Sequence, residues 1–332
     1  MSRVRRGCHG ELYSLNLLES CPCGCMHCRY AARQQALSAP NPQLPSLLVR
    51  ELERKSRRGH RPAFILVGNS CEPFPDSKEI RRIALNCIQV LLERKIGVSL
   101  ETRGRVPKEA ISLFSRHRRL MRVRVSIPSI DSDILSTWEP GCVDAETRIY
   151  NLQQLRHAGI PAMLHIGPII PFINDDEKHY RELIQTAADL HLRRVSASVL
   201  RLYPGAGKVL KSMAKGVSAM ILNSYMDKSV YPPSPRQILP ARERHKIYED
   251  LRKVAKKSGL GVGICRCHDE ELGSPPCSLG FGTATRPVRD VGHGNLSTHP
   301  SSPQNKTARP TASARVRAKD RSLSLFPDLP EE

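Results

Sequence analysis

Six short apolar runs, alternating with helix-like patterns, predict an α/β chain with a single parallel sheet. At 332 residues the chain can bury a sizeable core. With 39% hydrophobic residues, most of it is expected to fold. The composition changes after about residue 282, where Ser, Thr, Pro, Arg and Lys displace large apolar residues and a disordered tail is expected.

The first strand is expected around "ELYSLNLL" (11–18). "AFILVGN" (63–69) reads as a buried second strand. A helix from Asp76 to Arg94 follows, with Ile80, Ile83, Ala84, Cys87 and Leu91 on one face and Asp76 and Glu79 at capping-box spacing. "GVSLE" (97–101) is the third strand and "KEAISLFSRH" (108–117) its helix. "MRVRVSI" (121–127) alternates as a strand, and "DAETRIYNLQQLRHAG" (144–159) is a helix capped by Asp144 and stopped at Gly159. "PAMLHIGPII" (161–170), a helix over 175–191 and "RRVSASVL" (193–200) complete six units. Residues 204–240 are punctuated by Pro and Gly and yield no assignment, and a last helix spans 241–258. This divides the chain into a core at 1–205, an extension at 206–282 and a tail at 283–332.

The N-terminal stretch "MSRVRRGCHGELYSLNLLES" has no apolar run of about 7 to 15 residues and no small-residue cleavage site, so no signal peptide is expected. No run approaches about 18 apolar residues, so no membrane span is expected either, and the location is read as cytoplasmic. Eleven cysteines in such a chain point to metal binding or redox chemistry rather than disulfides. The net charge is +20, of which +17 lies before residue 283. That surplus would attract a polyanion such as DNA or RNA, although general solubility accounts for it too.

"LESCPCGCMHCRYA" (18–31) holds four cysteines in eight positions, directly after the first strand. Chemistry in a parallel sheet collects at the carboxyl ends of the strands, so this loop belongs there. Cys21, Cys25 and Cys28 read C-x3-C-x2-C, and three thiolates on one short loop can each ligate one iron of a cubane, leaving the fourth iron open. Zinc is the competing metal, but a structural zinc needs a fourth protein ligand, and His27 beside Cys28 would supply it awkwardly.

C-x3-C-x-(aromatic)-C after the first strand of a six-unit β/α chain resembles the radical S-adenosylmethionine superfamily. The resemblance implies a partial (β/α)6 barrel of the TIM type. It also implies a [4Fe–4S] cluster on Cys21, Cys25 and Cys28, with S-adenosylmethionine on the open iron, cleaved by one electron to a 5′-deoxyadenosyl radical. A flavodoxin or ferredoxin would supply the electron. His27 takes the position beside the adenine, and Cys23 is a bystander. "GNSCEPFPDSKE" (68–79) resembles the methionyl-amine segment, with Ser70, Cys71 and Glu72 in place of the usual Gly-Gly-Glu-like turn. "WEP" (138–140), "AGIP" (158–161) and "PIIPFIND" (168–175) resemble the DNA-photolyase-like branch, which includes spore photoproduct lyase. That implies Ser126 and Arg148 at the cofactor's polar ends, Gly167 with Pro168 and Ile169 against adenine, and Cys71 as hydrogen donor to a product radical. Cys87 and Cys142 read as structural.

Two features lie outside this resemblance. Cys265, Cys267, Cys277 and His268 fall within thirteen positions and form a candidate auxiliary metal or cluster site. The chain ends in "SLSLF" (322–326), which resembles a sliding-clamp-binding peptide anchored by Leu323, Leu325 and Phe326. Three functions follow: a radical enzyme repairing DNA lesions, a radical enzyme acting on tRNA, a peptide or a small molecule, and a zinc-containing nucleic-acid-binding protein without catalysis.

Overall fold

The computed structural model describes residues 2–7, 10–28, 39–213, 215–227, 234–235, 237–265 and 269–273. The backbone alternates as expected. In chain order the elements are β1 (Ser2–Gly7), β2 (Gly10–Leu15), α1 (Leu44–Arg57), β3 (Phe64–Val67), α2 (Lys78–Glu93), β4 (Gly97–Thr102) and α3 (Lys108–Arg116). They continue with β5 (Met121–Ser126), α4 (Ser132–Trp138), α5 (Ala145–His157), β6 (Ala162–Ile169), α6 (Glu177–Asp189) and β7 (Arg194–Val199). The last are α7 (Ala206–Met213), α8 (Lys215–Ser224), the two-residue strands β8 (Met226–Asp227) and β9 (Ser234–Pro235), α9 (Ala241–Lys257) and β10 (Gly261–Ile264).

The sheet runs β1-β2-β3-β4-β5-β6-β7-β10, with seven parallel strands and β1 antiparallel at one edge. Its two edges do not pair with each other among the described residues, so the barrel is open, as a partial (β/α) barrel must be. Two strands of this sheet were not expected: β1, and β10, which follows the last helix and adds a seventh parallel strand beside β7. Helix α1 was also missed, although Leu48 and Leu52 anchor it at helical spacing.

Register explains why one side of the sheet is apolar. Ile65 pairs with Val98, Leu100 with Val123, Val125 with Leu164, and Ile166 with Ala197, all buried. These branched side chains form the layer beneath the helices, where Leu91, Leu152, Tyr180 and Leu251 are also buried. The alternate positions carry most of the polar groups: Ser14, Ser99, Glu101, Arg124, Ser126, His165 and Ser196. This inner face is hydrogen-bonded within itself. His165 bridges Ser196 (Nδ1–Oγ 2.8 Å) and Ser198 (Nε2–Oγ 3.0 Å), and Arg124 pairs with Glu101.

Local capping matches the sequence in part. Asp144 caps α5, its carboxylate accepting from Thr147 N at 2.7 Å, and Gly159 follows the helix at φ +66°. The cap of α2 is Ser77 rather than Asp76. Ser77 has extended backbone and accepts from Ile80 N, while Asp76 lies outside the helix as an exposed partner of Arg81. The apolar face expected on α2 is buried in full.

Gly68 ends β3 at φ +90°, and a Cβ there would sit 1.8 Å from Glu101 O. No rotamer relieves a clash with backbone. Gly68→Ala is therefore expected to cost roughly 3 kcal/mol. That corresponds to about 6 to 12 °C in Tm. Differential scanning calorimetry checks it, and a change under 2 °C would mean that the turn adapts.

Candidate active site

The cysteine loop leaves the carboxyl end of β2 and is held from two sides. Glu72, beyond β3, donates its backbone N–H to Cys21 Sγ at 3.3 Å. The segment 138–142 grips the loop through Met26 N→Trp138 O and Gly141 N→Cys23 O, both 2.9 Å. Gly24 takes φ +59° inside the loop, so the four cysteines can crowd one turn.

A fully buried carboxylate organises the region. Glu139 accepts from Arg148 Nη1 at 2.5 Å and Arg103 Nε at 2.8 Å, and bonds His27 Nε2 at 3.0 Å. Burial alone would push Glu139 up, but the two guanidiniums outweigh it and hold the carboxyl well below the ordinary carboxylate range. Arg148 is completely buried and also donates to Val143 O at 2.8 Å and Ser126 O at 3.0 Å. Its Nη2 has no partner among the described residues.

Cys25, His27 and Glu139 present ligand atoms within 4.8 Å of one another. Zinc is poorly served there, because both Glu139 oxygens already answer guanidinium or imidazole groups. Three thiols on one short turn, with a backbone N–H already aimed at Cys21, suit an iron–sulfur cluster better. The orphaned Nη2 of Arg148 suits an anionic group such as a carboxylate.

Glu72 has the opposite environment. It accepts from Phe74 N at 2.9 Å, Thr102 Oγ1 at 2.6 Å and Arg103 N at 2.6 Å, all neutral donors. Burial outweighs these bonds and raises its carboxyl to about 7. Cys71, next to it, is buried, and desolvation raises its thiol to about 11, so it stays protonated at neutral pH.

The structure thus brings Cys21, Cys25, Cys28, His27, Ser70, Cys71 and Glu72 to one end of the sheet, at the loops after β2 and β3. Ser126 and Gly167 lie beside each other at the ends of β5 and β6, where Ser126 Oγ donates to Gly167 O at 2.7 Å. A Cβ on Gly167 would meet His165 Nε2 at 2.4 Å. Cys142, expected to be structural, lies at this site, with its Sγ 3.6 Å from Cys25 Sγ. Cys87 is buried on the core-facing side of α2, as expected. Arg103 was missed altogether, and the only hint was its place just past a strand end. Of the second cysteine group only Cys265 is described, and it is buried. Cys267, His268, Cys277 and the Leu323/Leu325/Phe326 motif lie outside the described residues.

The radical SAM superfamily model matches residues 15–184, just over half of the chain. The chain belongs to the radical SAM superfamily. None of the curated protein sequences matches it significantly. Solved structures similar in fold include spore photoproduct lyase complexed with dinucleoside spore photoproduct, with TM-score 0.58, 15% identity and 75% of each chain covered. A variant of that lyase with bound S-adenosylmethionine and the same dinucleoside has TM-score 0.58, 14% identity and 76% coverage of each chain. Streptococcus suis SuiB bound to S-adenosylmethionine has TM-score 0.51 and 12% identity, covering 76% of this chain and 49% of that one. The superfamily uses a [4Fe–4S] cluster and S-adenosylmethionine, and this protein is a radical SAM enzyme. Family membership sets aside the zinc-containing, non-catalytic reading.

Glu72 supplies a test of the site's electrostatics in the metal-free protein. Its folded value lies above the ordinary carboxylate value, so ionising it opposes folding. The penalty is absent below about pH 4.5, grows as pH rises, and is complete above about 7. A carbon-13 titration of the Glu side chains is expected to show one midpoint near 7, lost in Glu72→Gln. All midpoints below 5 would mean that the three hydrogen bonds outweigh burial.

Proposed function

We propose that this radical SAM enzyme acts on DNA, as a lesion-repair enzyme of the spore photoproduct lyase kind. The observation that carries the reading is Cys71, a buried, protonated thiol one residue from the Glu72 N–H that meets Cys21. A hydrogen donor to a carbon radical must keep its S–H and must be shielded from solvent, and Cys71 meets both conditions. The likeness in fold to spore photoproduct lyase over three quarters of both chains supports it, as does a net charge of +20.

In this reading Cys21, Cys25 and Cys28 hold the cluster. When bound, the cluster supplies the electron that cleaves S-adenosylmethionine and so opens radical chemistry on the substrate. The protein's own groups bind and orient. Glu72 would take the cofactor's ammonium, which would relieve its unbalanced burial. The free Nη2 of Arg148 would take a carboxylate oxygen. His27, held by Glu139, would border the adenine together with Gly167. Ser70 and Ser126 would line the same end, with the Ser126 hydroxyl committed to Gly167 O. A flavodoxin or ferredoxin would deliver the electron, and the C-terminal SLSLF would tether the enzyme to a sliding clamp. A peptide substrate is the second reading, supported by the likeness to SuiB, which has been solved bound to its precursor peptide, with TM-score 0.51.

The test is anaerobic reconstitution, reduction with S-adenosylmethionine present, and chromatography for 5′-deoxyadenosine. Wild type is expected to form it and Cys25→Ala to form none. Cys71→Ala is expected to keep forming 5′-deoxyadenosine but to lose repair of a dinucleoside spore photoproduct. Binding to a lesion-bearing duplex should fall roughly 10³-fold or more between 50 and 200 mM salt. Tighter binding of tRNA or a peptide than of the lesion duplex would overturn the DNA reading while leaving the radical chemistry intact.

A further inference from the structure

Cys23 and Cys142 are the thiols at this site that the cluster assignment leaves without a task. They hydrogen-bond to each other, but of the two only Cys142 lies within hydrogen-bonding distance of Cys25. Cys142 arrives from a different part of the chain, on the turn between α4 and α5. That turn is pressed onto the cysteine loop so closely that Gly141 has no room for a side chain. A Cβ there would lie 2.7 Å from Cys23 O and 2.8 Å from Cys23 Cα. Gly141 N donates to Cys23 O at 2.9 Å, and Cys142 N donates to Glu139 O at 3.0 Å. Glu139 is itself anchored by Arg103 and Arg148. Residue 142 is therefore held through its own backbone N–H and that of Gly141. Its Sγ, 3.6 Å from Cys25 Sγ, is at hydrogen-bonding distance for sulfur.

We propose that Cys142 is a positioning residue that donates an S–H···S hydrogen bond to Cys25 in the loaded enzyme and raises the reduction potential of the cluster. The inference rests on Cys25 being a cluster ligand. In the metal-free chain either sulfur can be the donor. A sulfur bound to iron carries no proton, so with Cys25 on the cluster any S–H···S bond across this 3.6 Å contact must have Cys142 as its donor. A hydrogen bond to a cluster sulfur favours the reduced state, which carries one more negative charge, and so makes reduction easier. The need is evident in the surroundings: Glu139 places a buried negative charge beside Cys25, which disfavours adding an electron. Arg103 and Arg148 neutralise that charge, and Cys142 acts on the ligand itself.

The experiment is an EPR-monitored redox titration of the reconstituted wild type, Cys142→Ala and Cys142→Ser, each with iron and sulfide measured. Cys142→Ala is expected to keep about four irons per chain and to lower the reduced-to-oxidised ratio at a fixed poise about tenfold. That is a shift of about 59 mV to more negative potential for one electron. Cys142→Ser, which retains an O–H donor, is expected to recover most of it. Coincident midpoints for wild type and Cys142→Ala would overturn the proposal. So would conversion of the Cys142→Ala cluster to a three-iron form on mild oxidation when the wild type resists, because Cys142 would then be a ligand. A full cluster in Cys25→Ala would instead sink the ligand assignment on which the proposal rests, and that control separates the two failures.

Discussion

The buried carboxylate of Glu139 is the interaction on which the site depends. Alone at this depth an ionised carboxylate would be prohibitive, and it persists because Arg103 and Arg148 both reach it. The consequence is architectural. Arg103 lies just past β4, Arg148 on α5, Glu139 after α4 and His27 in the cysteine loop. One ionic cluster therefore ties four separate segments to a common point, and the cysteine loop is fastened to the barrel through His27 and through Met26 N→Trp138 O. A neutral side chain at 139 would leave the fully buried guanidinium of Arg148 without its counter-ion.

The barrel supplies the frame for that cluster by dividing its two faces. The helix-facing side is branched and apolar, in register from Ile65 to Ala197. The inner side carries serines, His165 and an Arg124–Glu101 pair. Arg124 keeps Nε and Nη1 without partners among the described residues. A core designed only for stability would fill such positions with hydrocarbon, since each unpartnered buried donor costs about 1–3 kcal/mol. The polar lining runs up the strands to Ser126, at the end where the cysteines gather, which is the placement expected for groups that meet a ligand.

The sequence made most of this frame legible because its strands are short apolar runs and its helices keep a 3.6-residue period. Helix α5 was readable from Asp144 and Gly159, which act at close range. Strand β10, "GVGI", was not, because four residues with two glycines carry little signal, and its strand character comes from pairing with β7. The cysteine loop was readable because its ligands are close together in the chain. Cys142 and Arg103 were not, because their roles arise from contacts across more than a hundred and across thirty-six positions. Arg148 was reachable only through a likeness to known enzymes. Physical reasoning on a lone helical arginine would have put it in solvent, where the structure buries it completely.

Two carboxylates flank the cysteines in contrasting states, and the contrast assigns their tasks. Glu139 is saturated with cations and held ionised, so it cannot respond to a ligand and serves as a fixed counter-ion. Glu72 has only neutral donors and is pushed up to about 7, so it has charge to gain. A cationic group arriving beside Glu72 would stabilise its ionised form and recover the burial cost, which makes that side of the loop receptive to an ammonium. The Nη2 of Arg148, without a partner among the described residues, is receptive to an anion. A zwitterionic amino acid moiety has both charges, and in the reading proposed above one such ligand would satisfy both demands.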